Sequence, residues 1–246
     1  LIPASSPLCS LIKSYLNCDA LKEIEVNFKI IDHNSGSDNL DKIKNLFKKN
    51  NLKMELLDLD VNKFKEKIHK TNEEQKQVTL NQMSNMSNIH QSLLESKNSK
   101  DLIYFIEDDY LHNLNSLEEM IFTYERIASQ INDELFICST DYPYLYNKLD
   151  STNIFLGNNY HWRRVDETLC SFLTSKKMID KYWGELVSMC EYEHYPFEKP
   201  LHNIFKKELC ISPIPTLSIH CTNINSIYGL SPNINWKKIW DENKID

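Results

Sequence analysis

Glycine is scarce in this chain, with four in 246 residues. The scarcity argues against a glycine-rich phosphate loop after a first strand, where Ala4-Ser5-Ser6-Pro7 stands instead. Positive charge is also in deficit: 28 Lys and Arg against 35 Asp and Glu give a net charge of −7. Without a basic stripe to displace phosphate counterions, a nucleic-acid partner is not expected. The lysine-rich pieces, residues 42–53 and 63–70, are interleaved with acids and apolar residues and read as solvated helix faces. No apolar run approaches the length of a membrane span and no signal peptide is visible, so no integral membrane segment is expected. The seven cysteines (9, 18, 138, 170, 190, 210 and 221) are odd in number and form no CxxC pair. This excludes the usual zinc and disulfide frameworks and reads as buried, reduced thiols of a cytoplasmic protein. There is no internal repeat and no linker. The chain begins at Leu1 and not at methionine, so a longer polypeptide is the expected parent.

What is present is a 41% hydrophobic composition, enough for the core of one large α/β domain. Residues 1–3 read as a strand end, and Leu8, Leu11, Ile12, Tyr15 and Leu16 mark the face of a helix. Val26–Ile31 reads as a strand ending in the turn formers Asp32 to Asn39. Leu40, Ile43, Leu46 and Phe47 give a helix, and Met54–Leu59 another strand. This alternation predicts a parallel sheet with helices on its faces. Met83, Met86, Ile89, Leu93 and Leu94 predict a helix, as do Leu117, Met120, Ile121, Tyr124 and Ile127. Leu135–Cys138 reads as a strand. Beyond Pro143 the alternation fails and aromatic residues crowd together, the mark either of a pocket for a flat apolar partner such as a sugar or of a filled mixed-sheet core. Two helices (Met178 to Val187, Leu201 to Leu209), a strand at Thr216–His220 and an irregular tail complete the reading.

The most informative stretch is Leu102-Ile103-Tyr104-Phe105-Ile106-Glu107-Asp108-Asp109, a buried-strand pattern running into three consecutive carboxylates. Three acids at one strand end repel each other and lose solvation, which an oxygen-bound hard cation would neutralise. A solvated acidic loop opening the next helix is the other reading.

Taken in order, these pieces resemble family 2 glycosyltransferases of the GT-A fold. Ile30-Ile31-Asp32-His33-Asn34-Ser35-Gly36-Ser37-Asp38-Asn39 is similar to the family's VVDNGSTDN segment, and Glu107-Asp108-Asp109 stands where its metal-binding DxD motif belongs. The resemblance implies an α/β fold with an open, mostly parallel central sheet, helices on both faces and a smaller mixed acceptor-side half. It implies one domain over 1–246, with a nucleotide-sugar half (1–140) and an acceptor half (141–246). It further implies a divalent cation, manganese or magnesium, on Asp109, His220 and Glu107, and donor-nucleotide contacts from Asp32, Asn88 and Asp108. The general base is assigned to Glu198, in a degraded form of the family's acidic pair, with Glu193, Glu191, Glu167 and Asp166 as alternates. Asp141, Trp162, Arg163 and Arg164 are expected to face acceptor or phosphate, since guanidinium matches two oxyanions at once.

The implied activity is transfer of a sugar from a nucleotide donor, a UDP-sugar by family precedent, to a hydroxyl of a glycan or lipid-linked acceptor. Transfer with inversion, in surface polysaccharide or glycoconjugate synthesis at the inner face of the membrane, is expected. A non-catalytic carbohydrate-binding scaffold with a transferase-like fold, and a sugar nucleotidyltransferase, are the rival readings.

Overall fold

The computed structural model describes residues 5–147, 151–223, 231 and 234–244; the strand end expected at 1–3 lies outside them. In chain order the elements are α1 (Ser5–Leu16), α2 (Asp19–Lys22), β1 (Phe28–Asp32), α3 (Ser37–Lys49), β2 (Met54–Asp58), α4 (Leu80–Ser96), β3 (Leu102–Phe105) and β4 (Tyr110–His112). There follow α5 (Ser116–Ile131), β5 (Phe136–Ile137), β6 (Ile154–Leu156), β7 (His161–Arg164), β8 (Phe172–Ser175), α6 (Lys176–Lys181), α7 (Trp183–Glu191), α8 (Lys199–Phe205), β9 (Cys210–Ile214), β10 (Ser218–His220) and α9 (Trp236–Glu242). The class is α/β.

Two compact units interleave along the chain: one comprises 1–26, 104–173 and 209–246, the other 27–103 and 174–208. The boundary expected at residue 140 falls inside the first.

In the second unit, β1 and β2 pair in parallel from Phe28↔Met54 to Asp32↔Asp58, joined by α3. This is the βαβ arrangement that the alternation predicted. The apolar stripe of α3 buries Ile43, Leu46 and Phe47, with the Phe28 ring edge-on to Phe47 at 5.3 Å. Helix α4 starts at a capping box in which Thr79 and Gln82 satisfy each other's backbone N–H. Its Met86 joins Leu59, Phe64, Ile68 and Val78 in a buried cluster. The helix expected over Met178 to Val187 is broken at Tyr182 into α6 and α7.

The larger sheet is ordered β3-β8-β5-β9-β7-β6. β5 and β9 are parallel, whereas β7 is antiparallel to both β9 and β6. In place of the mostly parallel central sheet with a smaller mixed half expected from the sequence, the described strands form a mixed six-stranded sheet, the pair β1-β2 and the antiparallel pair β10-β4. The antiparallel pairing of β6 with β7 follows from connection length. Residues 157–160 alone join β6 to β7, closing with Gly157 N–H on the Tyr160 carbonyl at 2.9 Å, and so short a link admits only antiparallel pairing.

A buried carboxylate holds that link to the helix behind it. Glu119, on α5 and 1% exposed, accepts from the Asn159 and Tyr160 N–H groups, the Trp162 indole N–H and the Thr123 hydroxyl, at 2.7 to 3.1 Å. A Cβ on Gly157 would meet Trp162 Nε1 at 2.3 Å, so the chain passes where only glycine fits. From α1, Ser10 Oγ accepts the His112 N–H and Ser14 Oγ accepts the Leu117 N–H, each at 2.9 Å. The second of these is one of the N–H groups that the first turn of α5 leaves without an intrahelical partner. These two serines tie α1 to β4 and to the start of α5.

The tail expected to be irregular contains α9, whose Asn235 side chain accepts the Lys238 N–H.

Candidate metal centre

Strand β3 delivers the acidic stretch and β4 continues it, so the three carboxylates occupy the bend between two strands. β4 pairs antiparallel with β10, placing His220 directly opposite Tyr110 and beside Asp109. The Cys221 N–H donates to the Asp109 carbonyl at 2.9 Å, and the Glu107 N–H donates to Ser171 Oγ at 3.1 Å. Through these backbone bonds, one donor atom each from Glu107, Asp109 and His220 lie within 4.8 Å of one another.

The two oxygens of Asp109 differ. Oδ2 accepts from the Thr222 hydroxyl and from the Thr222 N–H, and lies 2.9 Å from His220 Nε2. Oδ1 is buried and receives no hydrogen bond. Burial pushes the Asp109 carboxyl up, but the hydrogen bonds from His220 and Thr222 outweigh it and hold the group below the usual carboxylate value. It is thus an anion with one buried oxygen unused, the kind of group that otherwise costs stability. Two carboxylates and an imidazole are a donor set that suits manganese better than magnesium, which prefers oxygen alone.

Asp108 is exposed and lies outside this cluster. Asp32, Asn88 and Glu198 belong to the second unit. Asp32 accepts the Ser35 N–H at 3.2 Å in a turn closing β1, and the Asn88 amide donates to the Ile31 carbonyl at 3.3 Å. Glu198 stands at the N-cap of α8 without making a side-chain cap bond. Among its alternates, Glu193 accepts from the Gln82 amide and Asp166 lies 3.4 Å from Arg164. Glu191 supplies a backbone carbonyl to the His69 N–H, and Glu167 is half-buried in the first unit.

Of the residues expected to face acceptor or phosphate, Trp162 is fully buried with its indole N–H on Glu119, which leaves it no surface for a ligand. Arg163 directs Nε and Nη2 to Asp141 Oδ1 at 3.1 and 2.7 Å, and its guanidinium lies 4.0 Å from the Tyr146 ring centroid. Both ions are 8% exposed. The pair therefore neutralises itself, and only Arg164 of the two arginines points a guanidinium toward solvent.

Sequence reasoning missed Thr222, Ser171 and the buried polar chain behind the strands. In that chain His112 donates from Nδ1 to the Tyr110 carbonyl at 3.0 Å, with Nε2 2.9 Å from the Tyr104 hydroxyl. Burial pushes the His112 imidazole down to about 4 from an ordinary 6.5, partly offset by the carbonyl. Its folded value is depressed, so the unfolded chain binds the extra proton between those limits. Stability is then full above pH 6.5 and falls as pH drops toward 4, by about 3 kcal/mol for this one group. Denaturant melts across that range should show the slope in the wild type and lose most of it in His112→Gln; an unchanged slope would assign the acid lability elsewhere.

Comparison of the chain with protein-family models, with curated proteins and with solved structures returned no match.

Proposed function

We propose that this chain is a divalent-metal-dependent glycosyltransferase of the family 2, GT-A type, using a nucleotide-sugar donor and a hydroxyl of a glycan or lipid-linked acceptor. The observation that carries the reading is the meeting of Glu107, Asp109 and His220, with Asp109 Oδ1 left over for a cation. When bound, a manganese ion would supply positive charge to the donor's diphosphate as the nucleotide leaves. Glu107, Asp109 and His220 would hold it, Thr222 fixing the Asp109 carboxylate in place. Asp32, Asn88 and Asp108 are assigned to the donor nucleotide, and Arg164 to an oxyanion of donor or acceptor. Glu198 is assigned the general base that takes the acceptor proton, with inversion at the anomeric carbon. A UDP-sugar, a role in surface polysaccharide or glycoconjugate synthesis, and work at the inner face of the membrane complete the proposal.

Isothermal titration with manganese and a panel of nucleotides, followed by transfer assays, tests it. Wild type should bind a nucleotide only with metal present. Glu198→Gln should keep that binding and lose about a hundredfold to ten-thousandfold in transfer. Full turnover by the variant removes Glu198 from the mechanism. Absence of metal-linked nucleotide binding in the wild type would favour the non-catalytic scaffold. Release of pyrophosphate from a nucleoside triphosphate and a sugar phosphate would favour the nucleotidyltransferase.

A further inference from the structure

Tyr110 touches every part of the Glu107, Asp109 and His220 cluster without offering it a ligand atom. It is the chain neighbour of Asp109. Its ring lies parallel to the His220 imidazole, with centroids 4.8 Å apart and planes within 20°. Its hydroxyl bonds that of Tyr142 at 2.6 Å, both side chains being 1% exposed. The Tyr110 N–H donates to the Glu107 carbonyl at 3.4 Å, across the acidic bend. Ring and hydroxyl therefore make separate contributions. The ring limits rotation of the imidazole, while the hydroxyl anchors the ring to Tyr142 in the segment after β5.

From this geometry we infer that Tyr110 is a positioning residue that presets His220 for a divalent cation, its ring orienting the imidazole and its hydroxyl, through Tyr142, holding that ring in place. The inference rests on reading the cluster as a cation site. Groups that orient metal ligands typically contribute 10- to 100-fold in metal affinity.

The test uses the whole chain with manganese alone, titrated calorimetrically. Cobalt serves as a second probe, because its visible spectrum reports the ligand arrangement. Melting in chelator separates folding from binding. Tyr110→Leu should lose 10- to 100-fold in manganese affinity. Tyr110→Phe, which keeps the ring, should recover most of that loss yet show an altered cobalt spectrum, as should Tyr142→Phe. If Tyr110→Leu does not fold, the two phenylalanine variants decide through the spectrum. Wild-type affinity in Tyr110→Leu, or wild-type spectra in both phenylalanine variants, overturns the positioning role while leaving the metal centre standing. A wild-type protein that binds neither metal overturns the centre and the positioning role together.

Discussion

Replacing Asp109 with alanine should abolish both manganese binding and sugar transfer, with folding retained. The expectation follows from how its two oxygens are used. Oδ2 is held by Thr222 and His220, so the carboxylate is fixed before any cation arrives, while Oδ1 is buried and receives no hydrogen bond. A fixed ligand loses little entropy on binding, and a buried oxygen without a hydrogen bond gains from the cation what it otherwise lacks. Asp109→Asn keeps the shape and the contact to Thr222 but not the charge, and should weaken manganese at least about 100-fold. Titration of both variants beside the wild type checks this. Undiminished affinity in the asparagine variant would remove Asp109 from the cation site and the transferase proposal with it.

The second large effect concerns folding. Glu119→Ala should destabilise the first unit by about 3–5 kcal/mol, because it strands several buried donors at once and opens a cavity beside Trp162. For a chain of this size that is a fall in melting temperature of about 10 °C. Glu119→Gln should cost less, since one amide oxygen still accepts, but its NH2 group then faces donors. Thermal melts of both variants decide, and melting within a degree or two of wild type would show that residues 157–160 are held by Thr123, Arg126 and packing without the carboxylate.

Much of this was legible locally. The strand Leu102–Phe105, its acidic continuation, the β1-α3-β2 unit and the faces of α1, α3, α4 and α5 all follow from periodicity and turn formers that act within a few residues. Strand β9 escaped notice because Pro213 lies within it. It is tolerated there because the described β5 ladder covers only Cys210 and Ile211. Helix α9 was missed despite a usable signal: Asn235 as cap, followed by Trp236, Ile239 and Trp240 at helical spacing. Glu119 looked like any polar residue on an amphipathic helix, and its burial depends on a link some forty residues away that supplies the donors.

The amino-acid order by itself determined that three acids stand at a strand end and that a histidine ends a late strand. Folding alone decided that Glu107 and Asp109, and not Asp108, meet that histidine, that Arg163 is consumed by Asp141, and that Trp162 lies inside. Alternation along a strand tells which side chains share a face, but the register against a distant strand is set by packing of the whole unit. The partner of each side chain is therefore written only in three dimensions.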